Sequence, residues 1–221
     1  MNFGLFGGTF NPVHNGHLRV IEEVAASFEL AKTYIVPAAL PPHKPLHDIA
    51  AAEDRLAMIR LAAGDLPGFE ISDLEINRPG PSYTVDTLMH FKGQAGKTDR
   101  IFLIVGVDAF LEIDTWKAYL DILKTAPLIV MARPAGGPGQ GHPAWKRAAD
   151  FIRQKISDNY VFTKTKASDA TKAYQPIFFT DVTLLDISST RIRQLIRQNK
   201  SIRFLVPEPV EAYIRQRGLY S

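Results

Sequence analysis

The 221-residue chain carries 26 Lys and Arg against 23 Asp and Glu, a formal net charge of +3, and it contains no cysteine. The absence of cysteine excludes disulfides and thiolate metal sites. No run of eighteen apolar residues occurs, and the opening "MNFGLFGG" lacks the charged n-region of a secretory signal. We therefore expect no membrane span and a cytoplasmic protein, and so small a net charge argues against a nucleic-acid partner.

Strand-length apolar runs alternate with helix-period segments through the first two thirds of the chain. In order, these are "NFGLF" and helix 16–29, "TYIVP" and helix 50–63, "FEISDLEI" and helix 83–92, "RIFLIVGV" and helix 108–124, then "PLIVMAR". Such alternation predicts a parallel sheet with helices on both sides, an α/β fold of the Rossmann-like, doubly wound kind. The runs "IFLIV" and "LIVM" are apolar throughout, as strands covered on both faces should be.

The regular pattern stops after Arg133, where "PAGGPGQGHP" predicts a loop, followed by a helix over 144–157 and a late strand in "IFFTDVTLL". We expect one domain, 1–221, with a sheet core from 1–133 and 176–186, an excursion at 134–175, and a small helical C-terminal region at 187–221. That last region holds seven Lys and Arg against two Glu. It is either a solvated helix face or a site for an anion.

The stretch "GLFGGTFNPVHNGHLRV", residues 4–20, runs from a strand through two glycines into a helix that begins near Gly16. Glycines let backbone N–H groups approach a ligand, and a helix N-terminus favours an anion. His14 and His17 lie three apart, so both can donate hydrogen bonds to phosphoryl oxygens at one place. The alternatives are a helix cap with a surface histidine, or a zinc site completed by His43 and His47.

A second cluster of polar residues lies at "ISSTRIR", residues 187–193. If Ser188 is the N-cap of a helix, Arg191 falls at its third position, where a cation opposes the helix dipole. An anion docked at this end would reverse that penalty, and Ser188, Ser189 and Thr190 would add hydroxyl donors. The alternative is that Arg191 pairs with Asp186.

Several other polar residues follow predicted strands, and these positions share one edge of a parallel sheet, where ligands bind. Gly106 and Asp108 follow "RIFLIV", and Arg133 closes "LIVMA". Asp108 could hold a ribose or a phosphate-bound metal, or it could cap the following helix. Arg133 could contact a nucleotide or be a solvated strand end, and Trp116 taken by itself is typical of a core residue.

Two signatures carry a family resemblance. "GGTFNPVHNGH" and "ISSTRIR" resemble the paired motifs of the HxGH nucleotidyltransferases. With "PPHK", "PSYT", "GVD", "TW" and the ending "VPEPVEAYIRQRGLY", the full chain resembles the bacterial nicotinate-nucleotide adenylyltransferases. The resemblance implies transfer of AMP from ATP to nicotinate mononucleotide, giving deamido-NAD and pyrophosphate. One departure is Asn11, where that family usually has aspartate.

The resemblance and the residue patterns together give a set of expected roles. The catalytic residues are expected to be His14, His17 and Arg191. ATP is expected to meet Gly8, Thr9, Phe10, Gly106, Asp108, Arg133, Ser188, Ser189 and Thr190. Nicotinate mononucleotide is expected to meet Lys44, Thr84 and Trp116, the last two around the pyridine ring. Mg²⁺ is expected on the ATP phosphates, with no metal site built by the protein.

Three alternative functions stay open at this point. One is another HxGH adenylyl- or cytidylyltransferase, such as phosphopantetheine adenylyltransferase, a shorter family that has threonine where His14 stands. Another is a nucleic-acid binder, against which the chain lacks a KMSKS-type lysine loop. The third is a nucleotide sensor without catalysis.

Overall fold

The computed structural model describes residues 1–42, 48–132, 143–157, 162–163, 174–183 and 185–221. Within them, seven strands form one sheet: β1 Asn2–Gly8, β2 Lys32–Pro37, β3 Phe69–Ile71, β4 Arg100–Gly106, β5 Leu128–Ala132, β6 Phe162–Thr163 and β7 Ile177–Asp181. Their order is β3-β2-β1-β4-β5-β7-β6, and every neighbouring pair is parallel. This confirms the expected parallel sheet.

The described helices alternate with these strands. They are α1 Asn15–Ser27, α2 Ala52–Ala63, α3 Leu74–Asn77, α4 Thr84–Gln94, α5 Val107–Phe110, α6 Tyr119–Thr125, α7 Pro143–Lys155, α8 Ser189–Arg197 and α9 Glu208–Arg217. A 3-10 helix, Ile113–Thr115, lies between α5 and α6. None of the described helices combines the length and the apolar character that crossing a membrane would need.

The core lies on both faces of the sheet, as a doubly wound fold requires. Strand β5 shows this most directly, because all five of its residues are buried and their side chains alternate between two apolar clusters. Leu128, Val130 and Ala132 join the cluster that contains residues of α4, α6 and α7. Ile129 and Met131 join the cluster that contains residues of α1, α2 and α9. The continuous apolar run in the sequence therefore reflects burial on both sides.

Two predicted elements are wrong in detail. The single helix expected over 108–124 is broken into α5, the 3-10 helix and α6, because the backbone is extended at Trp116 (ψ 145°) and left-handed at Ala118 (φ 49°). The strand expected over "FEISDLEI" ends at Ile71, and Leu74–Asn77 forms a helical turn instead. The Ser72 hydroxyl accepts a hydrogen bond from the Leu74 N–H at 3.3 Å, which bends the chain away from the sheet.

The segment after β5 differs from the expected excursion at one point. Helix α7 is present as predicted, but Phe162–Thr163 pairs with β7 at the edge of the sheet, opposite Ile177 and Phe178. The glycine-rich loop expected after Arg133 lies outside the described residues. In the C-terminal region, α8 begins after its N-cap Ser188 and α9 after Pro207, as the sequence indicates.

Candidate active site

Two cavities open at the point where the strand order reverses, between β1 and β4. The larger cavity, about 560 Å³, is lined by residues that include His14, His17, Gly106, Asp108, Ala132, Arg147, Thr183, Ser188 and Ser189. The smaller cavity, about 300 Å³, is lined by residues that include Gly8, Thr9, Pro41, Glu75, Tyr83, Thr84, Trp116 and Lys117. Both cavities also contact Phe6 and Gly106, at the carboxyl ends of β1 and β4. Open α/β sheets bind ligands at such a switch point.

The two histidines form a reciprocal cap at the start of α1. His14 is the N-cap, and its Nδ1 accepts from the backbone N–H of His17 at 3.3 Å. The Nδ1 of His17 accepts in turn from the backbone N–H of His14, also at 3.3 Å. Their rings are stacked with centroids 3.6 Å apart. A side chain at Gly16 would press on this pair, because a Cβ there would lie 3.0 Å from the His14 Nδ1.

This cap fixes which ring nitrogen can donate. An Nδ1 that accepts a hydrogen bond carries no proton, so the neutral imidazole bears its N–H on Nε2. Any hydrogen bond that His14 or His17 donates to a ligand in the larger cavity therefore comes from Nε2. Capping the helix and donating to phosphate, which the sequence presented as alternatives, are therefore compatible: each histidine caps α1 through Nδ1 and can donate through Nε2. The His17 ring also packs edge-on against Phe10, with centroids 5.2 Å apart.

The second signature is docked on the first. The Ser189 hydroxyl donates to the carbonyl oxygen of Pro12 at 2.8 Å, and the Arg193 guanidinium donates to the carbonyl oxygen of Asn11 at 2.9 Å. Ser188 caps α8 by accepting from the Arg191 backbone N–H at 3.2 Å, which confirms its predicted position. Ser188 and Ser189 therefore reach the larger cavity from the side of α8.

Arg191 differs from the expectation in its surroundings. The side chain is exposed, and its guanidinium makes no ion pair or hydrogen bond with any residue that the structure describes, so pairing with Asp186 is wrong. It is also not among the residues lining the larger cavity. Arg191 stands in the first turn of α8, next to that cavity but turned toward solvent.

Asn11 is buried and uses both ends of its amide. Its Nδ2 donates to the carbonyl oxygen of Asp48 at 2.7 Å, and its Oδ1 accepts from the Ala50 N–H at 3.0 Å. An ionised aspartate has no proton to donate to that carbonyl. Asn11 therefore ties the loop after β1 to the segment before α2 by a contact that an ionised aspartate could not make.

The smaller cavity combines an aromatic wall with a helix N-terminus. Trp116 is half-buried, packs against the core and also lines this cavity, so a core position and a place in the cavity wall are compatible. Thr84 is the first residue of α4, whose N-terminal end carries unpaired backbone N–H groups. The Lys117 ammonium lies 4.5 Å above the Tyr83 ring and 3.0 Å from the Asp86 carboxylate.

Glu75, which the sequence did not single out, is a buried carboxyl in the wall of the smaller cavity. The Thr87 hydroxyl donates to its Oε1 at 2.5 Å, and Arg78 donates to the Thr87 hydroxyl at 2.9 Å. Burial raises the pKa of Glu75 above its ordinary value of 4.5, while the hydroxyls of Thr87 and Ser82 and the charge of Arg78 oppose that shift.

Arg55 is a second residue that sequence reasoning missed. It is 1% exposed, and its guanidinium donates to the carbonyl oxygens of Thr9, Ala38, Ala39 and Ala50. These carbonyls belong to the loops that follow β1 and β2, so one cation fixes both loops beside the cavities. Its position inside α2, amid an ordinary helical pattern, gave no signal of this role.

The remaining candidate residues divide into three groups. Phe10 is buried under the His17 ring, and Thr190 is exposed on α8, so neither lines a described cavity. Asp108 is exposed at the larger cavity and makes no hydrogen bond with a described residue, so the expected helix cap is wrong. Lys44, Arg133, His43 and His47 lie outside the described residues.

A doubly wound sheet with paired cavities at its switch point defines the class of open α/β proteins that bind ligands at that point. The family model "Cytidylyltransferase-like" matches residues 5–195. The chain is 43% identical to "Probable nicotinate-nucleotide adenylyltransferase" of Desulfatibacillum aliphaticivorans, covering 100% of both chains, and 40% identical to a Geotalea uraniireducens protein of the same name, covering 100% of this chain and 99% of that one. It therefore belongs to the cytidylyltransferase-like family, and within it to the group of these named relatives.

A solved structure has the same fold. The Plasmodium falciparum nicotinic acid mononucleotide adenylyltransferase complexed with NaAD superposes with a TM-score of 0.71, covering 99% of this chain and 97% of that one. Its sequence is 16% identical to this chain. At that identity the likeness concerns the fold, and it supports the Rossmann-like assignment.

Proposed function

We propose that the protein is a nicotinate-nucleotide adenylyltransferase, which transfers AMP from ATP to nicotinate mononucleotide and releases deamido-NAD and pyrophosphate. The observation that carries the proposal is the pair of cavities that meet at Phe6 and Gly106, with His14 and His17 in the wall of the larger one. Two substrates bound on either side of this point bring their phosphates together. The group of relatives to which the chain belongs supports the same reaction.

ATP takes the larger cavity in this proposal. Met131, Ala132 and Val182 give an apolar surface for the adenine, while His14, His17, Ser188 and Ser189 give donors for the phosphates. Nicotinate mononucleotide takes the smaller cavity, where the pyridine ring stacks on Trp116 beside Thr84.

The reaction needs no general base. The attacking phosphate monoester has a second pKa of about 6, so it is largely ionised at neutral pH. The barrier lies in holding two polyanions in line and in stabilising the charge that moves as pyrophosphate leaves. The Nε2–H groups of His14 and His17 serve that purpose, since preorganised donors act most strongly where charge develops.

The N-terminal end of α8 adds positive electrostatic potential beside the leaving pyrophosphate. Ser188 and Ser189 bring hydroxyls, the helix N-terminus brings backbone dipoles, and Arg191 brings a guanidinium with no competing partner among the described residues. Arg191 lies in the first turn of α8, and its side chain is exposed beside this end of the helix. In this proposal the Arg191 guanidinium binds the triphosphate.

Mg²⁺ accompanies ATP in this proposal, and when bound it neutralises phosphate charge. Mg²⁺ prefers oxygen ligands and keeps several waters, so one or two carboxylates suffice. Asp108 fits, because its exposed carboxylate faces the larger cavity without a competing hydrogen bond to a described residue. Among the described residues no group of three or more His, Cys, Asp or Glu is placed to hold a metal ion.

One feature of the smaller cavity, the start of α4, favours an acid over an amide. Thr84 places the positive end of α4 at this cavity, whereas the Lys117 ammonium in its wall is paired with the Asp86 carboxylate at 3.0 Å. The helix end stabilises the carboxylate of nicotinate, whereas the neutral carboxamide gains less from it. The cytoplasmic location expected from the sequence stays a prediction.

The direct test is pyrophosphate release with Mg-ATP and, in separate reactions, nicotinate mononucleotide, nicotinamide mononucleotide and phosphopantetheine. We expect turnover with nicotinate mononucleotide, weaker turnover with the amide, and a dinucleotide product by mass spectrometry. Turnover with phosphopantetheine alone would assign the chain to another transferase. Oligonucleotide binding that survives raised salt, with no pyrophosphate release, would favour a nucleic-acid binder.

A further inference from the structure

We propose that Arg147, on α7, is a further ATP-binding residue, whose guanidinium contacts the phosphate chain in the larger cavity. The inference rests on the proposed function for the identity of the nucleotide. It goes beyond that function because Arg147 lies in neither signature and in no motif of the resemblance.

The cavity's charge inventory is the first argument. His14 and His17 use their Nδ1 atoms to cap α1, so they line the cavity as neutral donors. Of the described residues that line the larger cavity, only Asp108 and Arg147 carry a permanent charge, and Asp108 is negative. Without Arg147, Asp108 would be the one permanent charge among the described lining residues, and only Mg²⁺ and the start of α8 would offset its repulsion of a triphosphate. Arg147 supplies the positive charge that the two imidazoles do not.

The position of α7 is the second argument. Its apolar residues Ala144, Ala148 and Ile152 are buried, and ring contacts hold the helix on both sides: Trp145 against Phe179 at 5.1 Å and Phe151 against Phe110 at 5.6 Å. Ala144 also lines the larger cavity. Arg147 lies one turn further along the helix, so it presents its side chain at the cavity from a fixed backbone.

The third argument is that the Arg147 guanidinium has no interaction partner among the described residues. It makes no ion pair or hydrogen bond with a described residue, whereas Arg153 on the same helix pairs with Asp150 at 3.1 Å. A guanidinium is always charged and presents a planar set of donors that matches phosphate oxygens. An exposed, unpaired arginine at a polyanion cavity is therefore available for binding.

Lys146 provides a matched control. It is exposed on the same helix, carries the same charge, and is not among the residues lining the larger cavity. We expect Arg147→Met to raise the KM for ATP about tenfold or more, as loss of one charge-assisted contact implies. The KM for nicotinate mononucleotide should stay within about twofold, and Lys146→Met should leave both constants within about twofold.

Calorimetric titration of each variant with Mg-ATP alone keeps this inference separate from the proposed function. If Arg147→Met weakens ATP binding and Lys146→Met does not, the inference holds whichever second substrate the enzyme uses. Equal effects of the two substitutions would mean a general loss of charge, and would overturn it. So would unchanged ATP binding in Arg147→Met, or a rise confined to the KM for nicotinate mononucleotide, even with the reaction itself intact.

Discussion

The hydroxyl of Ser189 donates a hydrogen bond of 2.8 Å to the carbonyl oxygen of Pro12, across a sequence separation of 177 residues. This contact joins the loop that ends at His14, the N-cap of the helix that carries His17, to the helix that carries Arg191. It makes one wall of the larger cavity out of two distant segments. The donors that the proposed reaction needs are therefore positioned relative to one another by a hydrogen bond that no local sequence pattern contains.

Ser189→Ala should loosen this junction. We expect a loss of about 1 kcal/mol in the free energy of unfolding, the usual value of one hydrogen bond, and a severalfold rise in the KM for ATP. Urea denaturation and initial rates measure the two effects. Ser27→Ala is the control, because Ser27 is exposed at the end of α1 and makes no hydrogen bond through its side chain with described residues. If the two variants behave alike, the junction does not position the site.

The helix cap that His17 makes through Nδ1 and the donor that it offers at Nε2 can be separated by substitution. His17→Ala removes the cap on the His14 N–H and the Nε2 donor, so it should cost about 1 kcal/mol of stability and about 10²–10³ in kcat, with smaller changes in KM. His17→Asn keeps an acceptor near the position of Nδ1 but has no group at Nε2. It should recover the stability, measured by thermal unfolding, without the kcat. Recovery of both would mean that His17 acts only as a cap.

Asn11→Asp replaces the amide donor with a carboxylate, and we expect it to destabilise this chain. The carboxylate cannot donate to the Asp48 carbonyl, which lies 2.7 Å from the present Nδ2, so two acceptors would face each other. The expected cost is about 1–3 kcal/mol by urea denaturation near neutral pH. It should shrink in acid, where a protonated carboxyl can donate. Asn77→Asp, at an exposed position, is the comparison. A variant as stable as the parent would show that the Asp48 contact is dispensable.

Arg55→Met should be among the most damaging substitutions outside the cavities. It leaves the carbonyl oxygens of Thr9, Ala38, Ala39 and Ala50 without their donor, and we expect a loss of about 3 kcal/mol or more. Arg60→Met, on the exposed face of the same helix, should change stability by less than about 0.5 kcal/mol. Similar unfolding midpoints for the two variants would contradict the structural role of Arg55.

The raised pKa of Glu75 predicts the direction in which the stability of the folded protein changes with pH. Burial raises the pKa of the Glu75 carboxyl in the folded state. As pH rises above about 4.5, this carboxyl therefore ionises in the unfolded chain before it ionises in the folded protein. The free energy of unfolding falls as a result. Glu75→Gln removes this ionisation, so its stability relative to the parent should improve from pH 4.5 to 7. Arg78 and Asp86 are unchanged in both proteins. Parallel thermal-unfolding profiles over this range would mean that Glu75 titrates normally.

Local patterns were sufficient for most of the secondary structure. The alternation of strands and helices, the N-cap at Ser188 and the helix start after Pro207 depend on residues within a few positions of each other, and all are present. The long helix over 108–124 failed because its apolar spacing continues through Ala118, where the backbone is left-handed. Periodicity records which residues are buried, and buried residues can belong to three short helices as well as to one.

The sequence by itself determined the parallel sheet, the place of the two signatures and the chemistry of the histidines, since these follow from residue type and spacing along the chain. Only the tertiary structure decided which residues share a cavity and which nitrogen can donate. It buried Arg55 and Glu75, tied Asn11 to Asp48, placed Arg147 at the larger cavity and left Arg191 in solvent. Burial and contact are properties of segments packed from across the whole chain, and a one-dimensional pattern does not record them.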